Sequence, residues 1–266
     1  MSVLTLTTDF GTHDWFVGTM KGVIASIAPA ANVIDLTHDL PPGDIRGGAF
    51  ALAASHRFFP KGSIHVAVVD PGVGSRRKAI AVQTAKSLFV GPDNGVLSWA
   101  LAKEKIRAIH ALENEAYFLQ PVSRTFHGRD VFASVAAHLS RGVPIKKFGP
   151  ALKDFVRLPW PRPRLRRGGV EGEVVYIDHF VNEITNLEGS LLRDSGRASC
   201  EVYAKRRSVC PLKTFYQEVP NKRPLALVGS SGFLEIAISG GSAEKALGLT
   251  IGTRVVLRAD FPILAA

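Results

Sequence analysis

The stretch Arg157–Arg167, RLPWPRPRLRR, separates two sequence textures and so constrains the fold more than any other feature of the chain. Upstream of it, apolar runs of strand length alternate with segments of helical period. VLTLTTDF alternates and is rich in β-branched residues, a strand pattern. From Asp14 to Ile27, the residues Val17, Met20, Val23, Ile24 and Ile27 recur at helical spacing, and Pro29 ends that run. NVIDLTH, SIHVAVVD, AIAVQTA and SLFVGPDNG predict further strands. DIRGGAFALAASHRFF, VLSWALAKE and GRDVFASVAAHLSRG predict further helices. SIHVAVVD is largely apolar before its closing Asp70, as expected of a strand covered on both faces. This alternation predicts an α/β domain with a mainly parallel central sheet. Downstream, EGEVVYIDHFVNEITNL, SCEVYAKRR, SVCPLKTFYQEV, PLALVGSSGFLEIAI and GTRVVLRA are short alternating runs broken by Gly, Pro, Asn and Asp. They predict a smaller, barrel-like all-β domain. The expected division is an N-terminal domain over 1–161, a Pro/Arg-rich linker over 162–169 and a C-terminal domain over 170–266.

With 266 residues, 46% hydrophobic and 21% charged, the chain can bury two ordinary cores. No apolar run approaches the roughly 18 residues of a membrane-spanning helix. The N-terminus reads as a strand rather than a signal peptide. Cys200 and Cys210 form neither a disulfide framework nor a metal-ligand set. These features predict a cytoplasmic protein with reduced thiols. The net charge of +10 raises the question of an anionic partner. Five arginines without an acid lie between Arg157 and Arg167, yet no RNP aromatic pair, zinc-finger spacing or helix-turn-helix accompanies them. A solvated, proline-stiffened linker explains them, and no nucleic-acid or membrane partner is expected.

Polar residues gather where strands end: Asp9, then His38 and Asp39, then Asp70, then Asp93 and Asn94. Open α/β sheets bind ligands at those carboxyl ends. In VVDPGVGSRRKAI a buried strand delivers Asp70 into a glycine turn followed by Arg76 and Arg77, and TFHGRD places His127 at a helix entry. Three chemistries fit. Asp9, His13, His38, Asp70 and His127 are competent metal ligands, without a tight signature. GVGSRRK could cradle a phosphate, but it lacks the order G-x-x-x-x-G-K-[ST]. Alternatively, Asp70, one of the arginines and His127 could hold a water with no metal. Each of these residues also has a structural role open to it, as ion pair, turn or cap.

Taken together, TTDFGTHDWFVGTMKG, THDLPPGDIRGGAF, VVDPGVGSRR, VGPDNGVLS, FHGRDVFA, IDHFVNEITN and GSSGFLEIA resemble, in order and spacing, the S-adenosyl-L-methionine (SAM) hydroxide adenosyltransferases. These SAM hydrolases are related in fold to the SAM-dependent fluorinase and chlorinase. The resemblance implies metal-free cleavage of SAM by water at ribose C5′, giving adenosine and L-methionine, with SAM as substrate and no cofactor. It implies a homotrimer whose sites are shared between neighbouring subunits. It places the water site on Asp70, Arg77 and His127, with Arg77 preferred to Arg76 by its spacing from Asp70. It gives Asp9 to the ribose, Asp178 to the methionine part and Asn182 to adenine. Phe215 falls on an aromatic that stacks on adenine, Ser230 and Glu235 on contacts to the methionine carboxylate and ammonium, and Ile238 on a backbone contact to the adenine edge. The chain departs from the family pattern at Val181, usually glycine, at Glu183, usually apolar, and at Phe16, where a substrate-side tyrosine is common. The halogenases' insertion after the third strand is absent, and an acid, Asp70, stands where the fluorinase carries a tyrosine. Both features point to hydrolysis. A SAM or adenosine sensor without turnover is the alternative from another class.

Overall fold

The structure, a computed structural model, describes residues 2–166, 168–192 and 200–258. The chain divides into two compact units, Met1–Pro159 and Trp160–Ala266.

The first unit is built on six strands: β1 (Val3–Thr8), β2 (Asn32–Thr37), β3 (Ile64–Val68), β4 (Ala79–Thr84), β5 (Leu88–Pro92) and β6 (Ile106–Ala111). Their order is β2-β1-β3-β5-β4-β6. The pairings β1–β2, β1–β3 and β3–β5 are parallel, while β4 runs antiparallel to both β5 and β6. The sheet is therefore mixed: β4 connects the parallel strands β3 and β5, while β1, β2 and β3 are connected through helices, and the unit has four α-helices among the described residues. These are α1 (Phe16–Ile27), α2 (Ile45–Ser55), α3 (Ser98–Leu101) and α4 (Ser134–Ser140), the last preceded by a π-helical turn, Gly128–Ala133. Alternation along β1 sends Leu4 and Leu6 into the core formed with Met20 and Ile24 of α1 and Val135 and Ala136 of α4. Thr5 bonds the buried imidazole of His65 on β3 at 2.8 Å. Burial, reinforced by His56, pushes His65 down to about 4, so the ring is neutral in the core.

Two expectations differ from what is found. VLSWALAKE yields only the single turn of α3, because the chain turns at Glu104 into β6. The strand β6 itself escapes sequence reading, since Arg107 breaks up its apolar pattern on the half-exposed edge of the sheet.

In the second unit β7 (Arg164–Arg166), β8 (Gly169–Ile177), β9 (Glu183–Glu188), β10 (Glu201–Ala204), β11 (Arg207–Pro211), β12 (Pro224–Val228), β13 (Phe233–Ile238) and β14 (Arg254–Arg258) pair antiparallel in the order β11-β10-β14-β8-β9-β13-β12. β7 lies beside β8, with Leu165 opposite Val170. A bridge from Leu212 to Ala226 links the two ends of this order, so the sheet nearly closes into a barrel around Val174, Leu187, Val202, Ile236 and Leu257. The free thiols Cys200 and Cys210 are buried in this core, and burial pushes Cys210 up to about 12. No helix among the described residues is long and apolar enough to cross a membrane.

Candidate active site

The carboxyl ends of β1, β2 and β3 bring three loops together in the first unit. Asp70 leaves the end of β3 with its side chain 4% exposed. Arg77, just before β4, folds back on it: Nε donates to Asp70 Oδ1 at 3.0 Å and Nη2 to Oδ2 at 2.5 Å, a bidentate pair. The same Nη2 lies 2.8 Å from His127 Nδ1. A guanidinium has only donors, so Nδ1 accepts and the proton of the neutral ring sits on Nε2. Burial and the Arg77 charge hold His127 below the ordinary imidazole value, against the opposite pull of Asp70 and Asp130. The guanidinium carbon stands 5.3 Å over the Phe132 ring, which supports it from the π-helical turn.

Two further features lock this constellation. Gly74 has φ +75°, and a Cβ there would sit 2.3 Å from the Arg124 carbonyl oxygen, so the turn after Asp70 packs directly on the segment leading to His127. The fully buried Asp130 accepts from the Ser123 amide at 2.7 Å and from Arg129 Nε at 2.6 Å, pinning the other end of that segment. Arg129 and Asp130 of the HGRD motif thus support the loop, while His127 faces Arg77.

Asp9 Oδ2 accepts from the Gly43 amide at 2.7 Å, tying the β1 loop to the β2 loop. His38 is buried behind them, with Nδ1 2.8 Å from Thr8 Oγ1 and Nε2 3.0 Å from Asp35 Oδ1. His13 points to solvent, with a side chain 99% exposed. The candidate metal donors therefore do not converge, and the described residues contain no group of three or more His, Cys, Asp or Glu able to hold a metal ion. The glycine turn leads into the strand β4 and not into a helix N-terminus, so it is not built as a phosphate loop. Asn94 donates to the Val69 carbonyl at 2.8 Å, and Asp93 accepts from the Val156 amide at 2.7 Å; both are structural. Phe16 sits in an aromatic cluster, 5.9 Å from Phe10 and 5.1 Å from Phe126.

The second unit holds the other group. Between β8 and β9, Asp178 accepts from the Asn182 amide at 2.9 Å and from its side-chain Nδ2 at 3.1 Å. Val181 in that turn has φ +64°, the left-handed region that favours glycine. The turn after β11 is fixed by Glu218, which accepts from the Thr214 amide at 2.8 Å and the Phe215 amide at 3.3 Å. It leaves the Phe215 ring exposed and directs Tyr216 onto Glu235 of β13, where the phenol donates to the carboxylate. Ser230 lies exposed in the turn between β12 and β13. Ile238 is buried at the end of β13, and its carbonyl accepts from the Gly241 amide at 3.0 Å.

A sequence profile for the SAM hydroxide adenosyltransferase N-terminal domain matches residues 4–149, and one for the corresponding C-terminal domain matches residues 172–256. The chain belongs to the SAM hydroxide adenosyltransferase family. Within that family it is 42% identical, over 95% of this chain and 96% of the other, to a protein of Salinispora tropica named (R)-S-adenosyl-L-methionine hydrolase. A protein of Thermus thermophilus with the same name is 40% identical over 94% of this chain and 96% of its own. Among solved structures, an uncharacterized conserved protein from Thermotoga maritima superposes with a TM-score of 0.91 at 34% identity, covering 96% of this chain and 99% of that one. For this SAM hydroxide adenosyltransferase, sequence reasoning named Asp70, Arg77 and His127 but passed over Gly74, Asp130 and Phe132, which hold them. HGRD was the available signal for Asp130. No local signal marks Phe132 or Tyr216, whose partners lie 55 and 19 residues away in the chain.

Proposed function

We propose that this chain hydrolyses SAM to adenosine and L-methionine, with Asp70, Arg77 and His127 positioning the attacking water. Hydrolysis itself follows from family membership and from relatives named for that activity along nearly their whole length. Those relatives are named for the (R) form of the substrate, and we extend that preference to this chain. The observation that carries the residue assignment is the half-buried Asp70–Arg77–His127 cluster at the end of β3.

In the reaction an oxygen–C5′ bond forms while the C5′–sulfur bond breaks. The sulfonium takes the bonding pair and leaves as the neutral thioether of methionine, and one proton is released. Because the leaving group is already good, the enzyme's task is to hold the nucleophile in line, and fixed geometry can contribute roughly 7–11 kcal/mol. Arg77 is bonded to both Asp70 and His127, so neither side chain rotates independently. With Nε2 protonated, His127 donates to the water oxygen and orients its lone pair. It is not the base. The water proton passes to Asp70 or to solvent. All three roles are filled by this chain's own residues, which supports a metal-independent reaction.

In this reading Asp9 receives the ribose hydroxyls and Phe16 lines the substrate side of the first unit. Asp178 and Asn182, with Phe215, Ser230, Glu235 and the Ile238 backbone, receive the methionine and adenine parts. The water group and the methionine group fall in different units, which supports a homotrimer in which one subunit's first unit works with a neighbour's second. A sensor without turnover has no need of the Asp70–Arg77–His127 triad.

The test is to incubate chelator-treated protein with SAM and identify the products. Adenosine and methionine are expected in equal amounts; loss of activity on chelation, restored by a divalent ion, would refute the metal-free reaction. In the same assay Arg77→Ala should lower turnover at least about 100-fold with SAM affinity retained. Asp9→Ala should instead raise KM, about 10-fold for the loss of hydrogen bonds to a charged acceptor. Full turnover in Arg77→Ala would remove Arg77 from its role.

A further inference from the structure

We propose that Tyr216 is a positioning residue for substrate binding, whose phenolic O–H fixes the Glu235 carboxylate in the orientation that receives the α-ammonium group of the substrate. The inference rests on the reading that Glu235 binds that ammonium, and adds to it the residue that makes Glu235 competent to do so.

Glu235 lies in the middle of β13, paired to Leu227 of β12 on one side and to Ile184 of β9 on the other. Its backbone is therefore fixed, and only its side chain could take another orientation. The carboxylate is clamped from two sides. A Cβ on Gly229 would come within 2.0 Å of Oε2, so the bare glycine backbone packs against that oxygen. Oε1 accepts the Tyr216 hydroxyl proton. Tyr216 is itself set by the Thr214–Glu218 turn, whose amides are gathered by the Glu218 carboxylate.

The electrostatics explain why a donor is needed there. Glu235 is 5% exposed, and both burial and the neighbouring Asp178 carboxylate push it above the usual range, against the opposing pull of the Tyr216 hydrogen bond. Among the described residues the charge acting on Glu235 is thus that of a second carboxylate, Asp178, a setting suited to a cationic ligand group. Burial and Glu235 hold the phenol far above neutral pH, so Tyr216 stays a donor throughout the working range and does not compete with the ligand for the carboxylate proton. Its hydrogen bond favours the ionised carboxylate, the form that binds an ammonium, and leaves the remaining lone pairs for the ligand.

Tyr216→Phe removes the hydroxyl and keeps the ring. KM for SAM should rise roughly 10- to 100-fold, the range for a lost hydrogen bond to a charged group, with kcat changed less than about 3-fold. Inhibition by adenosine, which lacks the methionine part, should be unchanged, showing that the adenine-binding surface is intact. The acid limb of kcat/KM should move to higher pH, a change that loss of packing alone would not produce. Glu235→Gln should raise KM at least as much, and the double variant should be no worse than Glu235→Gln alone. An unchanged KM and pH profile in Tyr216→Phe, alongside a raised KM in Glu235→Gln, would overturn the role of Tyr216 and leave the binding site standing. Loss of adenosine inhibition in Tyr216→Phe would show a structural role and overturn it too. An unchanged KM in Glu235→Gln would instead refute the site reading on which the proposal rests.

Discussion

Replacing Glu183 by methionine should stabilise the protein at pH 8 and hardly at all at pH 5. Glu183 opens β9 with no exposed surface, and neither of its carboxylate oxygens has a side-chain or backbone partner in good hydrogen-bond geometry. Burial, reinforced by Glu244 of α5 (Ala243–Leu247), raises it from 4.5 to about 7, and the Leu249 amide and Lys205 offset this only in part. The folded-state value thus lies above the unfolded one, so folding binds a proton between them. The favourable contribution is complete below about pH 4.5 and is lost as pH rises through about 7. The interval from 4.5 to about 7, at about 1.4 kcal/mol per pH unit, is worth about 3 kcal/mol by pH 8. Cys210, the titratable neighbour on β11, is a neutral thiol throughout this range and adds no slope.

Methionine is flexible, larger than glutamate by about one methylene and has no oxygens to leave unpaired, so it removes the penalty without opening a cavity, at a packing cost that is the same at both pH values. Urea unfolding of both proteins at pH 5 and pH 8, followed by far-UV circular dichroism, gives the comparison. The stability advantage of Glu183→Met should grow by about 2–3 kcal/mol from the lower pH to the higher. Parallel pH dependences of the two proteins would refute the reasoning, since they would mean that Glu183 titrates alike folded and unfolded.

Val181→Gly should raise stability by about 1 kcal/mol, because a β-branched residue at φ +64° carries roughly 1–2 kcal/mol of strain, partly offset by the lost half-buried side chain; a fall in the urea midpoint would contradict this. Mixing subunits that carry His127→Ala with subunits that carry Asp178→Ala and Asn182→Ala, each inactive alone, should restore part of the activity if sites are shared in a trimer, and a fully active monomer in sedimentation would refute the shared site.

How much of this was legible before the fold depended on whether the signal was local. Asp70 was legible because an apolar run covered on both faces has one natural place for a carboxylate, its exit into the D-P-G turn. Arg77 and His127 were legible as residue types near that exit, but the pairing of Arg77 with both of them is tertiary, fixed by Gly74 lying against Arg124. His38, at a strand end, was open to a ligand role but read more readily as a turn or cap residue, and its contacts with Thr8 and Asp35 show a structural support. The first strand and first helix followed their periodicities, whereas β6 did not show through its basic residues, and the π-helical turn after His127 has no sequence period of its own.

The π-helical turn shows why that kind of feature is both unreadable and useful. A regular α-helix beginning at His127 would carry its first residues round at 100° each. The wider turn over Gly128–Ala133 changes the angular relation between His127 and Phe132, and the structure uses both: His127 Nδ1 at 2.8 Å from Arg77 Nη2, and the Phe132 ring 5.3 Å from the guanidinium carbon. Gly128 lies close under the aromatic rings, since a Cβ there would stand 3.1 Å from the Phe10 ring and 3.2 Å from the Phe126 ring. The aromatic cluster of Phe10, Phe16 and Phe126 thereby joins the β1 loop that carries Asp9 to the turn that carries His127. The carboxylate assigned to the ribose and the histidine assigned to the water are held by one packed unit, so a change in the Phe10–Phe126 contact would shift substrate and nucleophile positions together.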